Sequence, residues 1–188
     1  MRRVVIVGNS GTGKTTLART LAGRLDLPHV ELDALYHQAD WTPTPPQEFR
    51  DAVRSALDVA DAHAGGWVVC GNYPDARTGI WARADTIVWL DLPRHVVMAR
   101  VLRRTADRAI RRTELWNGNR ESPGNALALH DPERSIIRWA WDGVDRYRRQ
   151  YAGMLTDPTW AGLRRHRLRS SAEVAGWLDG DVAQRATA

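Results

Sequence analysis

Arg3-Val-Val-Ile-Val7-Gly8-Asn-Ser-Gly-Thr-Gly13-Lys14-Thr15-Thr16 decides how this chain begins to fold. Its first five residues are a β-branched run, the pattern of a buried parallel strand. The next eight fit G-x-x-x-x-G-K-[ST]. A helical pattern follows, with Leu17, Leu21 and Leu25 on one face and Pro28 beyond its end. Strand, glycine loop and helix in this order wrap backbone N–H groups around an anion and aim a helix N-terminus at it. Gly8, Ser10, Gly11, Thr12, Gly13, Lys14, Thr15 and Thr16 are therefore expected to cradle a polyphosphate. Lys14 would reach the terminal phosphates, and the Thr15 hydroxyl would be the protein's ligand to Mg²⁺.

Outward from that loop, the chain is of single-domain length, and residues 1–188 are expected to form one domain. Lys14 is its only lysine among 27 basic side chains. Arginine at every other basic position is most simply a compositional habit, so the exception points to a need for a compact ammonium at position 14. One cysteine, Cys70, excludes an internal disulfide and fits a reducing cytoplasm. No stretch approaches the length of a membrane span, and the expectation is a cytoplasmic protein with no membrane partner.

Further apolar runs at His29 to Leu32, Trp67 to Cys70 and Thr86 to Leu90, with a weaker one at His166 to Leu168, read as strands. Helical patterns cover about Pro46 to Ala62, Arg94 to Ala109, Pro132 to Met154 and Ser171 to Leu178. Alternation of this kind predicts an α/β fold with a parallel, doubly wound sheet. Ligands bind such sheets at the carboxyl ends of the strands, which places the glycine loop, Asp33, Gly71-Asn72 and Asp91 on one rim.

The glycine loop, Asp91-Leu-Pro93 with the following Arg100-Val-Leu-Arg-Arg104, and Gly71-Asn72-Tyr73-Pro74 together resemble the adenylate kinase-like group of P-loop kinases, with shikimate and gluconate kinases as neighbours. Glu31-Leu-Asp33, Tyr36, Trp41, Pro45-Pro46, Gly71-Asn-Tyr73 and Glu114-Leu-Trp-Asn-Gly-Asn-Arg-Glu121 are more specifically similar to the adenylate-kinase-related proteins labelled DNA topology modulation proteins, over about residues 1 to 155. The resemblance implies a three-layer fold, a five-stranded sheet in the order 2-3-1-4-5, a lid at about residues 103–128, and ATP with Mg²⁺ as cofactors. It also implies that Arg104 packs on the adenine.

Seven arginines lie between Arg100 and Arg120, against Asp107 and Glu114. On a closing segment such charges would neutralise a phosphoryl group in transfer. Arg104 is thus also a catalytic candidate. Arg108, Arg111 or Arg112 would face the phosphates, and spacing does not choose among them. A solvated basic helix face is the plainer reading for any one of them.

On the acceptor side, the resemblance gives an acid near Asp33 the role of binding an acceptor hydroxyl or a metal-bound water; Glu31 would support it. As a plainer alternative, Asp33 caps a short helix at 34–38. Tyr36, Trp41 and Tyr73 offer aromatic walls; Asn72 and Arg77 follow the third strand; Trp116, Asn117 and Arg120 sit on a turn suited to recognition. His37 reads as a surface histidine. Adenylate kinases carry Asp where this chain has Cys70, and a neutral thiol is a poor ligand for a hard cation. Asp91 before Leu-Pro reads as structural.

The expected activity is transfer of the γ-phosphoryl group of ATP to a hydroxyl or phosphate of a small molecule, nucleoside- or nucleotide-like, by a monomer or homodimer. Two rivals stand beside it. A nucleic-acid-associated NTPase is prompted by the net charge of +5 and by Trp139, Trp141, Arg138 and Arg146 on one helix. A nucleotide-binding regulator without chemistry is prompted by Cys70.

Overall fold

The computed structural model describes residues 1–121, 124, 131 and 135–182. Strand β1 (Arg3–Gly8) enters helix α1 (Lys14–Leu25) through the glycine loop. Then come β2 (His29–Glu31), α2 (Leu32–Tyr36), α3 (Pro46–Ala64), β3 (Trp67–Cys70), α4 (Pro74–Trp81), β4 (Thr86–Leu90), α5 (Arg94–Arg111), α6 (Ile136–Thr156), β5 (Arg164–Leu168) and α7 (Ser171–Trp177). The strands form one parallel sheet in the order β2-β3-β1-β4-β5, as the resemblance implied. Pairing of Ile6 with Cys70, Gly8 with Leu90 and Glu31 with Cys70 brings the carboxyl ends of the central strands to one rim.

Both faces of the sheet are covered, which is why its central strands are apolar at successive positions. Val5, Val7, Val69 and Trp89 face α3, α4 and α6, where Phe49, Leu57, Trp81 and Tyr151 complete one core. Val4, Ile6, Val68 and Leu90 face α1 and α7, packing on Leu17, Leu21 and Trp177. A third cluster joins α5 to α6 through Val97, Val101, Ala140 and Val144. Fully buried apolar side chains of this size each contribute about 1.5–3 kcal/mol. Four of the tryptophans, Trp67, Trp81, Trp89 and Trp177, fill these layers. β5 is an edge strand whose arginines remain mostly in water, which explains its weak hydrophobic signal.

Sequence and structure differ at several boundaries. β2 stops at Glu31, because Leu32 already opens α2. Asp33 is consequently inside α2 and caps nothing; Glu31 holds the N-cap position without a side-chain bond. Helix α4 is legible only through Pro74 at its first turn with Asp75 behind it. α6 begins at Ile136, capped by Ser135, whose Oγ accepts from the Arg138 amide. Its expected start at Pro132 lies outside the described residues, as do 122–123 and 125–128 of the expected lid. Within residues 103–121, α5 extends to Arg111 and a tight hairpin follows, closed by the Glu114–Arg120 bridge. No described helix is long and apolar enough to cross a membrane.

Candidate active site

The loop between β1 and α1 is shaped by backbone that only glycine adopts freely. Gly11 has φ +82°, and a Cβ there would lie 2.5 Å from the Val101 side chain on α5. Gly13 has φ +94° and occupies the N-cap of α1. The loop is braced from two sides. Asn72 clasps Gly8, its Nδ2 donating to the Gly8 carbonyl (2.6 Å) and its Oδ1 accepting from the Gly8 amide (3.2 Å); Tyr151 donates to the same Oδ1. Asn9 reaches the other way, donating to the Ala140 carbonyl of α6 at 2.6 Å. Gly143 makes that approach possible, since a Cβ there would stand 2.3 Å from Asn9 Oδ1.

Lys14 Nζ donates to the Asn9 carbonyl at 3.0 Å, so the ammonium lies folded over the loop. Burial pushes its pKa below the ordinary value; Asp33, Cys70 and Glu31 oppose that shift, and Arg104 adds to it. Lysine, a pair of acids and an arginine thus share one field. Thr15 opens onto this space, whereas Thr16 is exposed on the outer face of α1.

The two acids divide their duties. Glu31 accepts from the Thr15 hydroxyl at 3.0 Å and is paired with Arg19 at 3.3 Å. Asp33 accepts from the Tyr73 hydroxyl at 2.5 Å. Burial, then the Asp33 charge, push the Tyr73 phenol far up, so it stays protonated and remains a donor. Cys70 lies 3.8 Å from Thr15 Oγ1 and 3.2 Å from His29 Nε2. Burial pushes its thiol up to about 12, which keeps it neutral. A hard divalent cation prefers oxygen donors. Thr15 and Glu31 supply them side by side, and this donor set fits Mg²⁺ where Cys70 does not.

Two arginines of α5 lie on the loop. Arg104 Nη2 donates to Ser10 Oγ at 3.1 Å. Arg100 donates to the Thr12 carbonyl at 3.1 Å and to Ser171 Oγ at 2.9 Å, linking the loop to the start of α7. Arg104 therefore stands over the glycine loop at Ser10, while Arg100 ties the same loop to the first residue of α7. Sequence reasoning counted Arg100 in the basic cluster but gave it no role of its own; it lies one helical turn before Arg104. Of the remaining lid candidates, Arg108 is paired with Glu121 at 2.5 Å, Arg111 with Asp107, and Arg112 is exposed at the left-handed C-cap of α5.

Across the rim, Tyr36, His37, Trp41, Tyr73 and Trp116 form a connected aromatic set: Tyr36 and Tyr73 are 4.5 Å apart, His37 and Trp41 5.2 Å, and His37 stacks on Trp116 at 5.9 Å. His37 is half-buried rather than a surface residue, and burial lowers its pKa. Three expected acceptor residues are engaged elsewhere. Asn72 holds Gly8, Arg77 turns to Gln150 and Tyr151 on α6, and Asn117 Nδ2 donates to the His37 carbonyl at 2.5 Å. Arg120 is exposed and pairs with Glu114. Asp91, clamped by Arg148 and Arg167, is structural.

The model of the ATPase family associated with various cellular activities (AAA) matches residues 4–65, the span from β1 through α3. The five-stranded parallel fold matches solved structures of kinases. A sugar kinase from Janibacter sp. HTCC2649, in an unliganded crystal structure, superposes with a TM-score of 0.52 at 18% identity, covering 99% of this chain and 98% of that one. A gluconokinase from Sinorhizobium meliloti 1021 gives 0.51 at 17% identity, covering 99% and 94%. In sequence, a shikimate kinase from Bradyrhizobium diazoefficiens is 35% identical over 125 residues, which are 60% of this chain. The chain spans 58% of that kinase's length.

Proposed function

We propose that this chain is an ATP- and Mg²⁺-dependent kinase that phosphorylates a hydroxyl group of a small molecule. The observation that carries the reading is the division of acids around Lys14: Glu31 on the Thr15 hydroxyl, Asp33 on the acceptor side. The names of the similar proteins, shikimate kinase, gluconokinase and sugar kinase, favour a polyol or ring acceptor over a nucleotide. They support neither the adenylate kinase subtype nor a role in DNA topology.

In this reading the loop amides and the α1 N-terminus receive the phosphates, and Lys14 moves from the Asn9 carbonyl onto them. Thr15, with Glu31 behind it, would hold Mg²⁺, which would supply neutralisation of the phosphate charge. Arg104 leaves Ser10 for the group in transfer. The acceptor oxygen bonds to the γ-phosphorus, the bond to the leaving oxygen of ADP breaks, and the acceptor proton passes to Asp33. Tyr73, held protonated, fixes that carboxylate in place. The aromatic set beside Asp33 would seat the acceptor ring, and the hairpin after α5 would serve as its lid.

The nucleic-acid alternative gains little from α6. Arg94 and Arg138 are paired with Asp145 and Asp142, and Arg146 lies over Trp139 at 4.1 Å. A coupled assay for ADP formation from MgATP, run against shikimate, gluconate, monosaccharides and nucleosides, tests the proposal. Acceptor-dependent ADP formation that disappears in Lys14→Ala is the expected result. ADP formation stimulated only by DNA, in a salt-dependent way, would overturn it.

A further inference from the structure

Arg108 and Glu121 form the tightest ion pair of the phosphate side, at 2.5 Å, with both side chains largely out of water. Among the described residues only one carboxylate oxygen is bonded. Glu121 Oε2 is buried with no hydrogen-bond partner among the described residues, and so is Arg104 Nε. The neighbouring Arg104 already touches the phosphate loop through Ser10. Arg108 is thus paired with a carboxylate supplied by the chain itself, and the charge of that carboxylate also acts on the neighbouring Arg104. A buried acceptor and a buried donor find, among the described residues, none of the bonds that a native interior normally supplies.

The carboxylate is held there by a strained clamp. Glu121 ends the hairpin closed by the Glu114–Arg120 bridge and by the Leu115 amide donating to the Asn119 carbonyl at 2.7 Å. The hairpin is fastened across to the loop after α2. Asn119 Nδ2 donates to the Gln38 carbonyl at 2.8 Å, its Oδ1 accepts from the Trp41 amide at 2.8 Å, and Trp41 Nε1 donates to the Arg120 carbonyl at 3.2 Å. Asp40 and Trp41 on one side (φ +55° and +58°) and Asn117 on the other (φ +56°) have left-handed backbone. For a tryptophan this is an outlier, and such strain persists only where surrounding contacts enforce it.

We propose that Glu121 is an internal counter-anion for the Arg104–Arg108 pair, seated by the hairpin clamp, which the terminal phosphates of an incoming nucleotide must displace. The proposal rests on the polyphosphate-binding reading of the loop. Glu121 is on this account a positioning residue: it keeps Arg108 desolvated and aimed until a phosphate takes its place. Burial, and after it the charge of Arg108, depress the pKa of Arg104, with Glu121 and Asp33 acting against them. The apparent affinity of a ligand falls by the fraction of protein in the competent state, so an occupied arginine pair lowers affinity for phosphate.

Calorimetric titration of the full chain with MgATP and with Mg-tripolyphosphate tests this, comparing wild type, Glu121→Gln and Glu121→Asp. Glu121→Gln keeps the shape and removes the charge, and is expected to tighten both ligands by roughly five- to twentyfold. Glu121→Asp should stay near wild type. Asn119→Ala, which loosens the clamp without touching the carboxylate, should move in the same direction by a smaller factor. Binding to Glu121→Gln that is unchanged or weaker, with melting and circular dichroism intact, would overturn the proposal and leave the kinase reading standing. Failure of every variant to bind either ligand would overturn both. Binding detectable only once the charge is removed would support it.

Discussion

The two sides of the rim are built in opposite ways. The phosphate side is a backbone object: three glycines set its path, and Asn72 and Asn9 clasp its main chain from the sheet and from α6. The side proposed to receive the acceptor is a side-chain object. Its loop and the facing hairpin hold one another through Asn117, Asn119 and Trp41, and both contain residues in left-handed backbone. A phosphate is the same in every nucleotide, so its cradle can be fixed in advance by main-chain amides. An acceptor is particular, and the walls proposed for it are side chains that local contacts can rearrange.

Four substitutions break or sharpen that contrast. Lys14→Ala removes the loop's own cation from the backbone side; MgATP affinity or turnover should fall by roughly a hundredfold or more with the fold retained, as titration beside a melting curve would show. Glu31→Gln separates the metal role from the acceptor role. Loss of a metal-supporting carboxylate typically costs about 10–100-fold, so turnover should drop by that much and the Mg²⁺ requirement should rise, read from a magnesium titration. Gly143→Ala attacks the brace from α6. Its new methyl meets Asn9, overpacking of this kind costs about 1–3 kcal/mol, and the melting temperature should fall by roughly 2–10 °C. Asn117→Ala should have the smallest effect, about 0.5–1.5 kcal/mol for its lost hydrogen bonds. Amide exchange should quicken in residues 34–41 and 114–120 and stay unchanged in residues 8–15; equal quickening in both would mean that the two sides are one unit.

A further consequence concerns Cys70. With its thiol pushed up to about 12, it carries very little thiolate at neutral pH. Its raised value means that the folded state disfavours the charged form, so the contribution to stability is present below the unfolded value near 9 and fades as pH rises through the window between the two. Alkylation at pH 8 should therefore be much slower in the native chain than in the denatured one.

The candidate site was legible wherever chemistry is local in sequence. Strand, glycine loop, Lys14 and Thr15 lie within thirteen residues, and their spacing alone defines a cradle. Asp33 was found as an acid following a strand, but its partner Tyr73 lies forty residues away. The roles of Arg100 and Arg104 could not be sorted, because both lie on one helical face and only the docking of α5 decides which touches Ser10 and which reaches Ser171. Asn72 read as an acceptor contact because a polar residue at a strand end resembles a ligand group; that its amide clasps Gly8 depends on β3 lying beside β1.

By itself, then, the sequence determined the layered α/β class, the phosphate loop and the helices that carry their own periodicity, since each is written in spacings of a few residues. The sheet order came from resemblance to a family. Only the tertiary structure decided that Glu31 rather than Asp33 supports Thr15, that α6 braces the loop through the Ala140 carbonyl, and that Glu121 reaches Arg108 of α5. Those contacts join residues that are neighbours in space and distant along the chain, and no local pattern of hydrophobicity or charge encodes which of many compatible partners packing will bring together.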